Sequence, residues 1–199
     1  MRHPADPLDP LAHHFLTMAY NNAWANFRLA KACLQLSQEE FTATRTSFFP
    51  SIKATLNHIL VVDRVYVDGM EREARGEVPH PNYRDILADR EPCATAEAWR
   101  TGQEKTDCRL IAYCQGLRDA DMQRIVGYRR PDAAIDEPRV RLLAHVFQHQ
   151  IHHRGQAHAM LSGTSVEPPQ LDDFFRVADA DLRAPDFAEL GWSESGIWK

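Results

Sequence analysis

Four stretches of this chain repeat apolar residues at steps of three and four, and that spacing most limits what it can fold into. Between about 8 and 36 the stripe reads Leu11, Phe15, Met18, Asn22, Ala25, Leu29, Ala32 and Leu36. On a helix of 3.6 residues per turn these positions share the one face that must be buried. A second stripe, Ile52, Leu56, Ile59, Asp63, Tyr66 and Met70, follows Pro50, a residue favoured in a first helical turn, and runs to about Arg75 before Gly76. Thr95 is a suitable N-cap for a third helix that ends near Gly116. The fourth spans about 138 to 162 and stops at Gly163, with Leu143, Phe147, Ile151 and Leu161 on its apolar side. Each stripe has to be covered by another, so the pattern predicts an all-α four-helix bundle.

The segments between them read as connections. Residues 77–93 carry Pro79, Pro81 and Pro92 and predict a long loop. Arg124 to Arg129, followed by a turn at Pro131, predicts a short hairpin ahead of the last bundle helix. The bundle then takes up 1–165 and an extension takes up 166–199. That extension holds eight acidic and three basic side chains, a balance of −5 that equals the net charge of the whole chain. It also holds Phe174, Phe175, Phe187, Leu190, Trp192 and Trp198, more aromatic surface than a disordered acidic tail carries. Short helices packed on the bundle or on a partner subunit are expected.

Net charge −5, with basic residues scattered singly or in pairs such as Arg129-Arg130, leaves no basic stripe for nucleic acid and no basic run for an anionic membrane. No run of about 18 apolar residues is present. The first ten residues hold three prolines and no apolar core, so they do not read as a secretory signal. Cys33, Cys93, Cys108 and Cys114 form no C-x-x-C pair, and a chain of this length does not depend on disulfides. A cytoplasmic protein with reduced thiols is the expectation.

The chemistry is concentrated in the histidines. There are ten, and five fall in the run HVFQHQIHHRGQAH from His145 to His158. His149 and His153 stand four apart, so their rings rise from one helix face about 6 Å apart along the axis. Two imidazoles at that spacing can share one ion, but a third ligand has to come from elsewhere. His58, mid-helix in LNHILVVD, is a ring among apolar neighbours that needs a partner. Spacing alone leaves His145/His149 and His149/His152 open as pairs, and leaves His58 open as a core histidine bonded to a carbonyl. His3, His13, His14 and His80 read as solvated, and Thr55 and Gln156 as ordinary polar positions.

The stretch HQIHHRGQAH resembles the His-x-x-x-His-Arg-Gly-Gln run that closes the last bundle helix in the DinB/YfiT-like family of bacterial metalloenzymes. LNHILVVDRVYVDGM resembles that family's second helix and MAYNNAWANFRL its first, so the likeness covers about 10 to 165. It implies one divalent metal ion on His58, His149 and His153, with zinc or nickel ahead of iron or manganese. With the aromatic extension, it also implies a homodimer.

Three imidazoles leave a coordination position open to water or substrate. That position permits transfer of a thiol or hydrolysis of an ester or amide. The family resemblance includes transferases that use low-molecular-weight thiols such as bacillithiol or mycothiol. The expected function is therefore a thiol S-transferase acting on a small molecule. A metal-dependent hydrolase and a non-catalytic stress-associated protein with a structural metal are the alternatives. No catalytic base is assigned: Gln150, Ile151 and His152 replace the glutamate motif of zincins, and Asp63 points about 140° away from His58. Asn22 and Asp63 interrupt apolar stripes. Either they stand behind the ligand rings or they make interhelical bonds, with Arg154 the candidate partner of Asp63; the interhelical reading leads.

Overall fold

The first helix opens without a cap of its own. In the computed structural model, which describes residues 9–81, 87–129 and 133–198, α1 (Pro10–Cys33) starts on a proline, whose missing N–H is no loss in a first turn. The N–H groups of Leu11 and Ala12 donate to the Asp119 carboxylate at 3.3 and 2.8 Å. A short helix that the stripes do not reveal, α2 (Gln38–Thr42), is held by a reciprocal capping box between Ser37 and Glu40. α3 (Ile52–Ala74) is capped by Ser51, which accepts from the Ala54 N–H at 3.0 Å, rather than opening at Pro50. It ends where Gly76 takes φ +70°, a left-handed turn that stops a helix. α4 (Ala96–Gln115) is capped by the Thr95 hydroxyl. A 3-10 turn, Asp119–Asp121, carries the carboxylate lent to α1.

The expected hairpin forms. β1 (Ile125–Arg129) pairs antiparallel with β2 (Ala134–Pro138), with Tyr128 opposite Ile135. The turn at Pro131 lies outside the described residues, as does His3. α5 (Arg139–Leu161) follows directly. The four long helices close a ring in which α1 packs on α4, α4 on α3, α3 on α5 and α5 on α1, so the fold is an all-α bundle with one small hairpin. Among the described residues, no helix is long and apolar enough to cross a membrane.

Two apolar clusters fill this ring. One gathers Phe15, Tyr66, Met70, Leu110, Leu143 and Phe147 with Val126 and Tyr128 of β1. The other gathers Leu29, Phe41, Ile52, Leu56, Trp99 and Leu161. Between them lies a buried polar layer of Asn22 and Asn26 from α1, Asp63 from α3, Gln103 and Asp107 from α4, and Gln150 and Arg154 from α5. Two sequence expectations change here. Leu11 is 38% exposed and Ile151 is 47% exposed, so neither belongs to a buried stripe. α5 instead turns Leu143, Phe147, Gln150, Arg154, Ala157 and Leu161 inward, a register set by the polar partners waiting on the other three helices.

Past α5 the chain folds back on α1. α6 (Ala180–Leu190) and α7 (Glu194–Ile197) bring Phe174, Phe187 and Ile197 against Trp24 and Ala25. Asp186 accepts from the Trp24 indole at 3.1 Å and from Arg28 at 2.6 Å. Buried Arg183 ties the extension to itself through Glu194 and the carbonyls of Asp173 and Arg176.

Candidate metal centre

His58 reaches the site from α3, and His149 and His153 reach it from α5, the helix packed beside it. Their ring centroids form a near-equilateral triangle, with sides of 4.9 Å (His58–His149), 4.5 Å (His58–His153) and 4.5 Å (His149–His153). The Nε2 atoms of His58 and His149 face each other at 3.0 Å, and one ring nitrogen from each of the three lies within 4.8 Å of the others. Imidazole nitrogens at about 2.0–2.1 Å from a tetrahedral ion are themselves about 3.3 Å apart. Three neutral nitrogen donors at this separation fit one divalent ion.

The surroundings keep the rings neutral. Burial, and then the nearby His153 ring, hold the His58 imidazole down at about 4. Burial and the crowd of neighbouring imidazoles hold His149 down at about 3. Burial also lowers His153, against the opposing pull of Gln156. The segment before α3 supplies part of that desolvation, with the Phe49 ring 4.3 Å from His58 and 5.5 Å from His153. Gln156 is more than the ordinary polar residue its sequence suggests: its Oε1 lies 2.9 Å from His153 Nδ1. A proton fixed on Nδ1 leaves Nε2 free to ligate. The Thr55 hydroxyl donates to the Ser51 carbonyl at 2.9 Å and has no other hydrogen-bond partner among the described residues.

Among the described residues, the other histidines do not form a comparable group. His145 Nε2 lies 3.1 Å from the Tyr66 hydroxyl and its ring is 6.0 Å from that of His149. His152 is exposed and meets Gln156 Nε2 at 3.1 Å. His14 is exposed, and His13 and His80 are half-buried.

Asn22, Asp63 and Arg154 come together with one another rather than with the three rings. Arg154 donates to Asn22 Oδ1 at 2.7 Å, to Asn26 Oδ1 at 2.9 Å and to Gln150 Oε1 at 3.3 Å. Gln150 in turn donates to Asp63, so the expected Asp63–Arg154 pair is bridged by an amide and is not a direct contact. Asp107 accepts from Asn22, Asn26 and Gln103. Burial raises Asp63 well above the usual carboxylate range and Asp107 to about 6, and it lowers Arg154 to about 10. Each of the two α5 histidines of the cluster is thus followed by a residue of this layer, Gln150 after His149 and Arg154 after His153, which fixes the rotation of the helix.

The three histidines open onto a cleft of about 840 Å³. α3 contributes Ala54, Val61, Val62 and Val65 to its wall, α5 contributes the histidines, and β1 contributes Tyr128 and Arg129. Asn57, which the sequence reading passed over, fastens the far rim by accepting from the Cys93 N–H at 2.8 Å and donating to the Cys93 carbonyl at 2.9 Å. A volume of this size suits a small-molecule ligand.

The sequence model of the DinB family matches residues 9–183 of this chain, which takes in the whole bundle and part of the extension. The chain is also similar to the crystal structure of a DinB-like protein from Bacillus cereus, at 18% identity and a TM-score of 0.53 over 74% of this chain and 90% of that one. At that identity the likeness concerns the fold. No curated protein matches the chain.

Proposed function

The chain belongs to the DinB family, and from that premise we propose that it is a metal-dependent enzyme that passes the thiol of one small molecule to an electrophilic second one. The observation that carries this reading is the convergence of three neutral imidazole nitrogens within 4.8 Å in the wall of an 840 Å³ cleft. A divalent ion there, zinc or nickel by donor type, supplies the Lewis acidity that makes a thiol a nucleophile near neutral pH.

The chain's own residues do the rest. His58, His149 and His153 are the holding groups, and Gln156 fixes the tautomer of His153. Phe49, packed on His58 and His153, shields that side of the rings from water. Tyr66 and His145, hydrogen-bonded in the cleft wall one helical turn from His149, are the groups placed to move a proton to or from a bound molecule. A cleft that reaches the rings favours this reading over a closed structural metal, which takes a fourth protein ligand.

The test is a panel of low-molecular-weight thiols against a fluorogenic electrophile, with an ester panel alongside, using zinc- and nickel-loaded protein. Metal-dependent transfer that disappears in His149→Ala supports the reading. Ester cleavage without thiol transfer would favour the hydrolase, and inactivity throughout would contradict both. As part of the same proposal the protein works in the cytoplasm as a homodimer; sedimentation giving only monomer at micromolar concentration would remove the dimer.

A further inference from the structure

The cleft is not electrically neutral at its rim. Two arginines line it, Arg90 from the connection ahead of α4 and Arg129 at the end of β1. Both side chains are exposed, and neither has an ion pair or hydrogen-bond partner among the described residues. The arginines around the far end of α3 behave differently, since Arg72, Arg75, Arg109, Arg124 and Arg139 are each tied to a carboxylate. Glu91 also lines the cleft, but Lys53 holds it at 2.8 Å and cancels its charge. The cleft thus offers two guanidinium groups that meet no carboxylate among the described residues, in a chain whose net charge is −5. The same cleft has an apolar stretch of wall, Val61, Val62 and Val65 of α3 with Leu87. Arg90 is held near its place by the Asn57–Cys93 clamp three residues further on.

We propose that the small molecule bound in this cleft is an amphipathic anion, whose soft donor end faces the three histidines, whose apolar body lies on the valine wall, and whose carboxylate or phosphate is taken by Arg90 and Arg129. The planar guanidinium fork matches both anions, and an apolar chain cannot satisfy it. The inference rests on the metal-centre reading above, but only for the donor end. The arginine end stands on its own geometry.

Binding is measured by calorimetry on zinc-loaded protein with three probes of one chain length: mercaptohexanoate, mercaptohexylphosphonate and mercaptohexanol. The expected result is that at least one anion binds about tenfold more tightly than the alcohol at low salt, the scale of two partly solvated ion pairs, with the advantage shrinking as salt is raised. The double variant Arg90→Ala/Arg129→Ala loses that advantage and keeps the alcohol's affinity. Preference for the phosphonate or for the carboxylate identifies which anion is taken. Equal binding of all three, or an advantage that survives in the double variant, overturns the proposal. Metal content is read on the same samples, and hexanoate against hexanol, followed by NMR line shifts, repeats the comparison without sulfur. Protein that takes up no metal yet still prefers hexanoate would contradict the metal centre alone. Full metal with no anion preference would contradict only the anion site.

Discussion

At the scale of single residues, the polar layer decides more than its size suggests. Asp63 Oδ2 accepts from Gln103 at 3.0 Å and from Gln150, while Asp63 Oδ1 and Gln103 Oε1 are both buried acceptors without a donor among the described residues. A proton on Asp63 supplies the missing donor, in keeping with the raised affinity that burial gives this carboxyl. Asp107 instead receives only donors, and it balances Arg154 through Asn22 and Asn26. Asp63→Asn should therefore leave stability within about 1 kcal/mol of the parent. Asp107→Asn should cost about 3–5 kcal/mol, because Arg154 is left buried and uncompensated. Urea unfolding of the two variants checks this, and equal losses would refute the assignment. The three clustered histidine rings make a second case. In metal-free protein the unfolded chain takes up protons near 6.5, whereas folded His149 resists until about 3. Stability is thus lost as pH falls below 6.5. Asp107, raised to about 6, works the other way, since its folded form gains a proton first. The informative comparison is with metal-free His149→Ala, which keeps Asp107: its urea midpoint should fall less between pH 7 and pH 5 than that of the parent.

At the scale of elements, helix boundaries were the most readable part of the chain, because they rest on local chemistry. Thr95 and Gly116 bracket α4 where the sequence places them, and the hairpin follows from the short apolar run before Pro131. α2 has a legible signal as well, Ser37 and Glu40 three apart, but at five residues it carries no stripe. The polar layer was not legible. Gln150 and Arg154 sit in a helix full of Gln, Arg and His that looks like a wet surface, and only packing against Asn22, Asn26 and Asp63 makes them interior. That is also why Ile151 seemed the better core residue. Of the candidate site, helical spacing offers His149/His153 beside His145/His149 and His149/His152 and only the family resemblance chooses among them, whereas the place of His58 depends on how α3 meets α5. Asn57 gave no signal because its partner is the backbone of Cys93, 36 residues away. Asn57→Ala should free the rim of the cleft, with faster hydrogen exchange at the Cys93 amide and a loss of about 1–3 kcal/mol. Unchanged exchange there would show that the clamp holds nothing.

At the scale of the whole molecule, three packing problems are solved together. Two apolar clusters supply cohesion, the polar layer between them fixes the rotation of α3 and α5, and that rotation brings three imidazoles from two helices to one point beside a cleft. The extension covers Trp24 on the opposite side of α1 and leaves the cleft untouched. The central claim is that this arrangement holds a metal ion, and elemental analysis of untagged protein, next to His58→Ala and His149→Ala, tests it most directly. One divalent ion per chain is expected in the parent and its loss in both variants, with all three proteins folded by circular dichroism. Full occupancy in either variant, or none in the parent after incubation with zinc or nickel, would contradict it.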